Sequence, residues 1–116
     1  MRILFNNENK RFWLEVKDDA GNVVVDPTIV EAIQVQLKYG LKRDTWLDYR
    51  YPSTEGFPEV KLSAEKFYFE ITTEQAKTAR NGDIVVVVNY KVTDARFSEG
   101  FNSFTEKGKI LKIVEV

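Results

Sequence analysis

Residues 67–90 constrain the fold of this chain more than any other stretch. They read FYFEI, TTEQAKTARNGD and IVVVVNY, a pattern that predicts a strand, a short helical turn and a second strand. Thr72 and Gln75 fit a capping box, in which the threonine caps the turn and the glutamine reaches back to the backbone. Asn81-Gly82 then ends the turn with residues that accept the left-handed conformation. A crossover of this kind is typical of a β-sandwich.

Strand-type alternation recurs through the rest of the chain. In residues 32–39 the apolar side chains point one way while Gln34 and Gln36 point the other, as in a sheet with one solvated face. Residues 84–92 are apolar on both faces at their start, which predicts a central strand. The other predicted strands are residues 10–17, 23–25, 45–51, 59–62, 67–71 and 109–116, with a turn at residues 18–22.

These segments predict an all-β fold, an Ig-like Greek-key β-sandwich of about seven or eight strands with one short helical crossover. A small barrel is the alternative. A chain of 116 residues is the size of one domain, and it holds no internal repeat or linker, so we expect a single Ig-like domain over residues 1–116.

Composition argues against several classes of function. The chain has no cysteine and no histidine, which removes disulfides, thiolate nucleophiles and the commonest general base and metal ligand. Its 17 basic and 18 acidic residues give no surface suited to nucleic acid. The longest apolar run, residues 84–88, is too short to cross a membrane, and residues 1–9 do not resemble a signal peptide. We therefore expect cytoplasmic synthesis, with no cofactor, metal, nucleic acid or membrane partner.

Carboxylates are the remaining candidates for catalysis, namely Asp18 with Asp19, Asp44 with Asp48, and Glu70. The first pair fits a turn in which carboxylates bond their own backbone, and Glu70 lies on the outward face of its strand. A minor hydrolase relying on Asp48 would need a concave pocket and a carboxyl group with a raised pKa. Because no reactive constellation converges, the sequence predicts a protein that is not an enzyme.

Aromatic residues make up 13% of the chain and are the best candidates for binding. Trp13 lies opposite the apolar row of its strand, so it is either a ring lying over charged side chains or a contact residue for a partner. Trp46, Tyr49 and Tyr51 lie beside polar groups in one strand. Such residues can stack on a sugar or anchor a protein interface, unless one face is core and the other carries a single exposed ring.

Three phenylalanines, Phe97, Phe101 and Phe104, fall in the otherwise polar residues 95–106. This segment is predicted to be a loop, and three such rings are too many for a freely solvated one. Either the loop folds back over one end of the sandwich or it projects into a neighbouring subunit.

The chain also resembles a known family. KFYFEI at residues 66–71, TTEQAK at residues 72–77, the NGD turn at residues 81–83 and the strand that follows are similar to the Ig-like N-terminal module of phage baseplate upper proteins and related tail accessory proteins. FWLEVKDDAGNV at residues 12–23 resembles the opening of that module, and KILKIV at residues 109–114 its last strand. The resemblance implies a sandwich that docks other subunits, with no catalytic residue to carry over.

Together these observations predict a non-enzymatic structural or adaptor module of a phage or prophage tail or baseplate, present in the virion. Its partners would be copies of itself in a homo-oligomer or other tail and baseplate proteins, docked through strand edges and aromatic side chains. The predicted contact residues are Trp13, Trp46, Tyr49, Tyr51, Phe97, Phe101 and Phe104. The alternative is a carbohydrate-binding module that uses Trp46 with Tyr49 or Tyr51 as a platform for a glycan.

Overall fold

The structure, a computed structural model, describes residues 2–5, 9–16, 22–24, 26–40, 44–64 and 66–114. Its strands are β1 (Arg2–Phe5), β2 (Lys10–Leu14), β3 (Val30–Lys38), β4 (Thr45–Tyr51), β5 (Lys61–Ser63), β6 (Lys66–Ile71), β7 (Gly82–Thr93) and β8 (Phe101–Val114). A 3-10 turn (Pro27–Ile29) precedes β3, and the helical turn α1 (Thr73–Ala76) joins β6 to β7. These elements confirm the predicted all-β fold and its short helical crossover.

The strands form two sheets that pack face to face. Sheet A has the order β1-β8-β7-β3-β4, and sheet B has the order β2-β6-β5. Neighbouring strands are antiparallel except for β1, which runs parallel to β8. The chain changes sheet between β1 and β2, β2 and β3, β4 and β5, and β6 and β7, which is the Greek-key connectivity of an Ig-like sandwich. The predicted central position of the strand that begins at residue 84 is confirmed by β7.

The core lies between the two sheets and is built from the inward rows that the alternation predicted. Ring contacts join the sheets, with centroids 5.0 Å apart for Tyr49 and Phe69 and 4.9 Å apart for Tyr51 and Phe67. The buried residues of the core include Ile33, Val35, Leu37, Tyr49, Phe67, Phe69, Ile71, Ile84, Val88, Tyr90 and Ile113. Burial of such side chains is the main favourable term in folding.

The capping box at α1 is confirmed in both of its hydrogen bonds. The backbone N–H of Gln75 donates to the Thr72 hydroxyl at 3.1 Å, and the backbone N–H of Thr72 donates to the Gln75 side-chain oxygen at 2.8 Å. Ala76 and Ala79 are buried in the core on the side of the turn that faces the sheets. The turn therefore closes one end of the sandwich.

The prediction for residues 95–106 is wrong. Only residues 94–100 form a connection, because β8 begins at Phe101 and pairs with β7 from Thr93 opposite Phe101 to Gly82 opposite Ile113. The polar residues of its first half conceal the strand, yet pairing there satisfies the backbone groups along that edge of β7. Strand β1 was not predicted at all. Residue 17 of the first predicted strand, residues 18–21 of the predicted turn, and Val25 lie outside the described residues.

Candidate functional site

Tyr49 belongs to the core, so its prediction as a contact residue is corrected. Its side chain is 2% exposed, and its hydroxyl donates to the backbone oxygen of Glu70 at 2.5 Å. Burial raises the pKa of the Tyr49 phenol well above its ordinary value. A partner could reach this ring only by opening the sandwich, because Phe69 and the inner row of β6 lie against it.

The other two residues of the predicted glycan platform also pack inward. Tyr51 is half-buried and meets Phe67 edge to face. Trp46 is half-buried, and its indole N–H donates to the Thr78 hydroxyl at 2.9 Å. The pairing of β3 with β4 shifts between Leu37 and Lys38 and skips Trp46, which is a β-bulge. Alternation along β4 would place Trp46 on the same face as Asp48 and Arg50, and the bulge turns it away from that face towards the core. The three rings therefore do not form one exposed platform.

The three phenylalanines are separated. Phe97 lies in the connection between β7 and β8 and is 44% exposed. Phe101 lies on the outer face of sheet A, where the Lys91 ammonium is 3.8 Å from its ring centroid. The register places Phe104 opposite Tyr90, and the side chain of Phe104 lies outside the described part of the structure.

Among the predicted contact residues whose side chains the structure describes, Trp13 is the most exposed. It belongs to a cluster that we call the Trp13 patch: Arg11, Trp13, Tyr68 and Glu70, on the outer face of sheet B. Trp13 is 53% exposed, and its ring centroid is 5.0 Å from that of Tyr68, which faces it across β2 and β6. The Arg11 guanidinium lies 4.5 Å from the Tyr68 ring and pairs with Glu70 at 2.9 Å. The interpretation of Trp13 as a ring beside charged side chains fits this geometry, since the Arg11 guanidinium lies 5.9 Å from the Trp13 ring centroid. The interpretation of Trp13 as a contact residue for a partner stays a prediction.

Arg11 and Tyr68 were not predicted from the sequence as members of this patch. The available signal was the alternation of FYFE, in which Tyr68 points away from the buried Phe67 and Phe69. The alternation does not reveal that β2 pairs with β6, and it is this pairing that places Trp13 opposite Tyr68.

An apolar recess adjoins the Trp13 patch. Its volume is about 410 Å³, and most of its lining is apolar, with the charged side chains of Glu15 and Lys66 beside Trp13, Leu14, Val16, Val23, Val24, Ala64 and Phe67. Val23 is 49% exposed, so the recess opens to solvent beside the ring. The patch and the recess together offer a ring to a partner and a hollow for one of its apolar side chains.

A second concave surface, which we call the sheet A groove, lies on the outer face of sheet A, on the opposite side of the molecule. Its volume is about 650 Å³. The outward-facing residues that line it are Ala32, Gln34, Arg50, Asn89, Lys91, Phe101, Ser103 and Thr105. Ile33, Tyr90 and Tyr51, which was predicted from the sequence as a contact residue, also line it. The loop at Pro52 and Thr54 forms its rim on the β4 side. The polar residues of this groove were not predicted from the sequence as a site, because isolated polar residues on the outer face of a sheet are ordinary.

Asp48 supports this groove from outside its lining. Its carboxylate accepts hydrogen bonds from Arg50 at 2.9 Å, Gln34 at 3.2 Å and Gln36 at 3.4 Å. Asp48 is not one of the residues that line the concave surface. A hydrolase relying on Asp48 would need the carboxyl group of Asp48 to face a pocket. The structure does not show that geometry at this residue.

Within the described ranges, no group of three or more acidic side chains is placed to hold a metal ion. No helix in this part of the chain has the length and apolarity that a bilayer crossing requires. Comparison with protein-family models, with curated proteins and with solved structures gave no match. The fold places the protein in the class of Ig-like β-sandwiches. Its two candidate functional surfaces are the Trp13 patch and the sheet A groove.

Proposed function

We propose that this protein is a non-enzymatic structural or adaptor module that docks protein subunits through the Trp13 patch. The observation that carries the proposal is the exposure of Trp13 beside Tyr68 and Arg11. Tryptophan, tyrosine and arginine are the residues that most often dominate the energy of protein interfaces. The adjoining recess adds a pocket into which a partner can insert an apolar side chain.

The patch suits a partner because little entropy remains to be lost there. Trp13 is held against Tyr68, and Arg11 is held by the Tyr68 ring and by Glu70. Side chains already ordered in the free protein cost less to immobilise on binding. An exposed cluster of rings that loses contact with water on association is also a favourable hydrophobic term.

The phage or prophage tail, with assembly into a virion after cytoplasmic synthesis, is the setting we propose for this docking. Its support is the resemblance of residues 12–23 and 66–90 to the baseplate module, together with the Ig-like order of the strands. The test is co-expression with the proteins encoded by neighbouring genes, followed by pull-down. If the neighbouring genes encode no tail protein, the tail assignment is lost while the docking proposal keeps its own test.

That test is self-association, because we expect a homo-oligomer. Multi-angle light scattering over a range of concentrations should give a mass above that of one chain for the native protein. Trp13→Ala should weaken the association by more than about tenfold, since truncation of a central tryptophan typically costs 2 kcal/mol or more.

Phe97→Ala is the matched comparison, because Phe97 is another exposed ring among the contact residues predicted from sequence, and it lies outside the Trp13 patch at which we now place the interface. It should leave the association constant unchanged. A chain that stays monomeric at the highest concentration contradicts the proposed self-docking. An oligomer that responds to Phe97→Ala and not to Trp13→Ala moves the interface to the connection between β7 and β8.

A further inference from the structure

The sheet A groove has the side-chain chemistry of a sugar-binding site, and we propose that it binds a neutral oligosaccharide. The site shares Tyr51 with the glycan platform predicted from sequence but contains neither Trp46 nor Tyr49, and it shares no residue with the Trp13 patch. Its volume of about 650 Å³ lies within the usual range for small-ligand pockets. The inference is independent of the docking proposal, because the two surfaces lie on opposite faces of the sandwich.

A row of hydrogen-bonded polar side chains, which includes the planar amides of Gln34 and Asn89, crosses the floor of the groove. The Thr105 hydroxyl donates to the Asn89 side-chain oxygen at 2.6 Å, and the Asn89 amide donates to the Gln34 oxygen at 3.3 Å. Gln34 in turn donates to Asp48. This chain of hydrogen bonds fixes which atom of each amide is the donor and which the acceptor, so the groups are oriented before any ligand arrives.

The row keeps hydrogen-bonding capacity for a ligand. An amide oxygen has two lone pairs and an amide nitrogen has two hydrogens. The contacts described use one lone pair on each of Gln34 and Asn89, one hydrogen of the Asn89 amide, and the hydrogen that the Gln34 amide donates to Asp48. Sugar hydroxyls both donate and accept, and they match paired donor and acceptor atoms on one planar side chain.

The shape of the groove favours an oligosaccharide. The lining residues come from β8, β7, β3 and β4, so the groove crosses three strand-to-strand spacings, or about 14 Å. The small side chain of Ala32 leaves a depression in the floor of the groove between Arg50 and Lys91. Phe101 places an apolar ring at the β8 side of the groove. The Lys91 ammonium covers one face of the Phe101 ring, so the ring can offer a pyranose its apolar edge while the sugar hydroxyls reach the amides.

The charges of the groove favour a neutral ligand. Arg50 is held by Asp48 through two hydrogen bonds, of 2.9 and 3.3 Å, which offset its charge. The Lys91 ammonium lies against the Phe101 ring, where part of its interaction is already made. The groups left to select a ligand are amides and hydroxyls, from Gln34, Asn89, Ser103 and Thr105.

The experiment uses the whole chain and an array of neutral hexose and N-acetylhexosamine oligosaccharides, with sulfated and uronic acid glycans printed beside them. We expect binding to at least one neutral glycan. Titration of that glycan, followed by NMR, should shift the side-chain amide signals of Gln34 and Asn89. This measurement needs no variant and reads the proposed contacts directly.

Gln34→Ala and Asn89→Ala should each lower the affinity about tenfold, the loss expected for one well-made hydrogen bond. Thr93→Ala is the matched control, because Thr93 lies on the same face of β7 and does not line the groove. Trp13→Ala, on the opposite face, should also bind as the native chain does.

Three results would each overturn the proposal. One is an array on which no neutral glycan binds. Another is binding that leaves the Gln34 and Asn89 amide signals unmoved. The last is binding confined to sulfated or uronic acid glycans and abolished by Lys91→Met, which would identify simple attraction of anions to one lysine. None of these results bears on whether the Trp13 patch docks a protein subunit.

Discussion

Tyr49 shows how one side chain can link three elements of the fold. Its ring lies against Phe69, and its hydroxyl is close both to the Glu70 backbone oxygen, at 2.5 Å, and to the Gln75 side-chain oxygen, at 3.3 Å. One hydroxyl hydrogen cannot serve both acceptors fully, and the shorter contact identifies the main one. The residue thus connects β4 to β6 and to the start of α1.

Two substitutions at Tyr49 separate its hydrogen bond from its packing. Tyr49→Phe removes the hydroxyl and should lower the free energy of unfolding by about 1 kcal/mol. Tyr49→Ala also empties a buried site and should cost about 3–5 kcal/mol. Chemical denaturation followed by circular dichroism measures both. Equal losses for the two variants would mean that packing of the ring contributes little at this position.

Asp94 and Arg96 form the clearest electrostatic pair of the connection between β7 and β8. The Arg96 guanidinium donates to the Asp94 carboxylate at 2.6 Å, and the Arg96 backbone N–H donates to it at 3.0 Å. These hydrogen bonds, the side-chain one first, lower the pKa of Asp94 to about 2. The stabilisation of the charged form is therefore present above the ordinary value of 3.8 and is lost as the pH falls towards 2.

Arg96→Ala should raise the pKa of Asp94 towards its ordinary value, because it removes the larger of these interactions. The backbone hydrogen bond remains, so we expect the return to be partial. An NMR titration of the Asp94 carboxyl carbon gives the midpoint, and Ser98→Ala in the same connection should leave it unmoved. A midpoint that does not change in Arg96→Ala would mean that the side-chain bond is not formed in solution.

At the scale of single elements, α1 depends on its cap because it is only one turn long. A helix of four residues has almost no internal hydrogen bonds, so the bonds at Thr72 supply much of its definition. The packing of Ala76 into the core supplies the rest.

Thr72→Ala should therefore lower the free energy of unfolding by about 1 kcal/mol, the usual cost of a lost N-cap. For a domain of this size that corresponds to a fall in melting temperature of about 4 °C. Thr73→Ala is the control, since Thr73 is exposed and one residue further along, and alanine suits a helical position. Differential scanning calorimetry decides, and an equal loss in both variants would contradict the role of the cap.

At the scale of the whole molecule, two tyrosines couple the stability of the sandwich to alkaline pH. Burial raises the pKa of Tyr90 and of Tyr49, and nearby Glu106 adds to the effect at Tyr90. A phenol whose pKa is raised on folding contributes stability that is fully present below its unfolded value, near 10, and is lost as the pH rises beyond that value.

The free energy of unfolding should consequently fall by about 1 kcal/mol per buried tyrosine at one pH unit above that value. Urea unfolding at about pH 8 and about pH 11 measures the difference. Tyr49→Phe removes one of the two phenols and should shrink the difference, while Thr93→Ala should leave it as in the native chain. A native-sized difference in Tyr49→Phe would show that Tyr49 ionises without unfolding.

Much of this architecture was predictable because its signals are local. The alternation in residues 32–39 and 84–92 gave the inner rows of β3 and β7, and the capping box gave α1. Strand β1 and the first half of β8 were not predicted, because each forms by pairing with a distant strand. The first half of β8 pairs with the edge of β7, and β1 pairs with the last residues of β8. A polar segment becomes a strand when a neighbouring edge supplies its hydrogen bonds.

The candidate surfaces were predictable only in part. Trp13 was identified as exposed because its own strand alternates, and the structure agrees. Tyr49 was placed among the contact residues because nothing in its strand says which of two aromatic faces meets the second sheet. Trp46 lies on a different face from the one predicted because of a β-bulge, and the local alternation of residues does not reveal a bulge.

The sequence alone therefore determined the all-β character, the capped turn and the exposure of Trp13, since period-two alternation and capping act between residues close in the chain. The choice between a sandwich and a barrel was made only by the tertiary structure. The tertiary structure decided that Tyr68 and Arg11 join Trp13, that Tyr49 is core, and that Gln34, Asn89 and Thr105 form one row. Those relations depend on which strands pair and in what register. Register is fixed by the packing of distant residues against one another, and no short stretch of the chain contains that information.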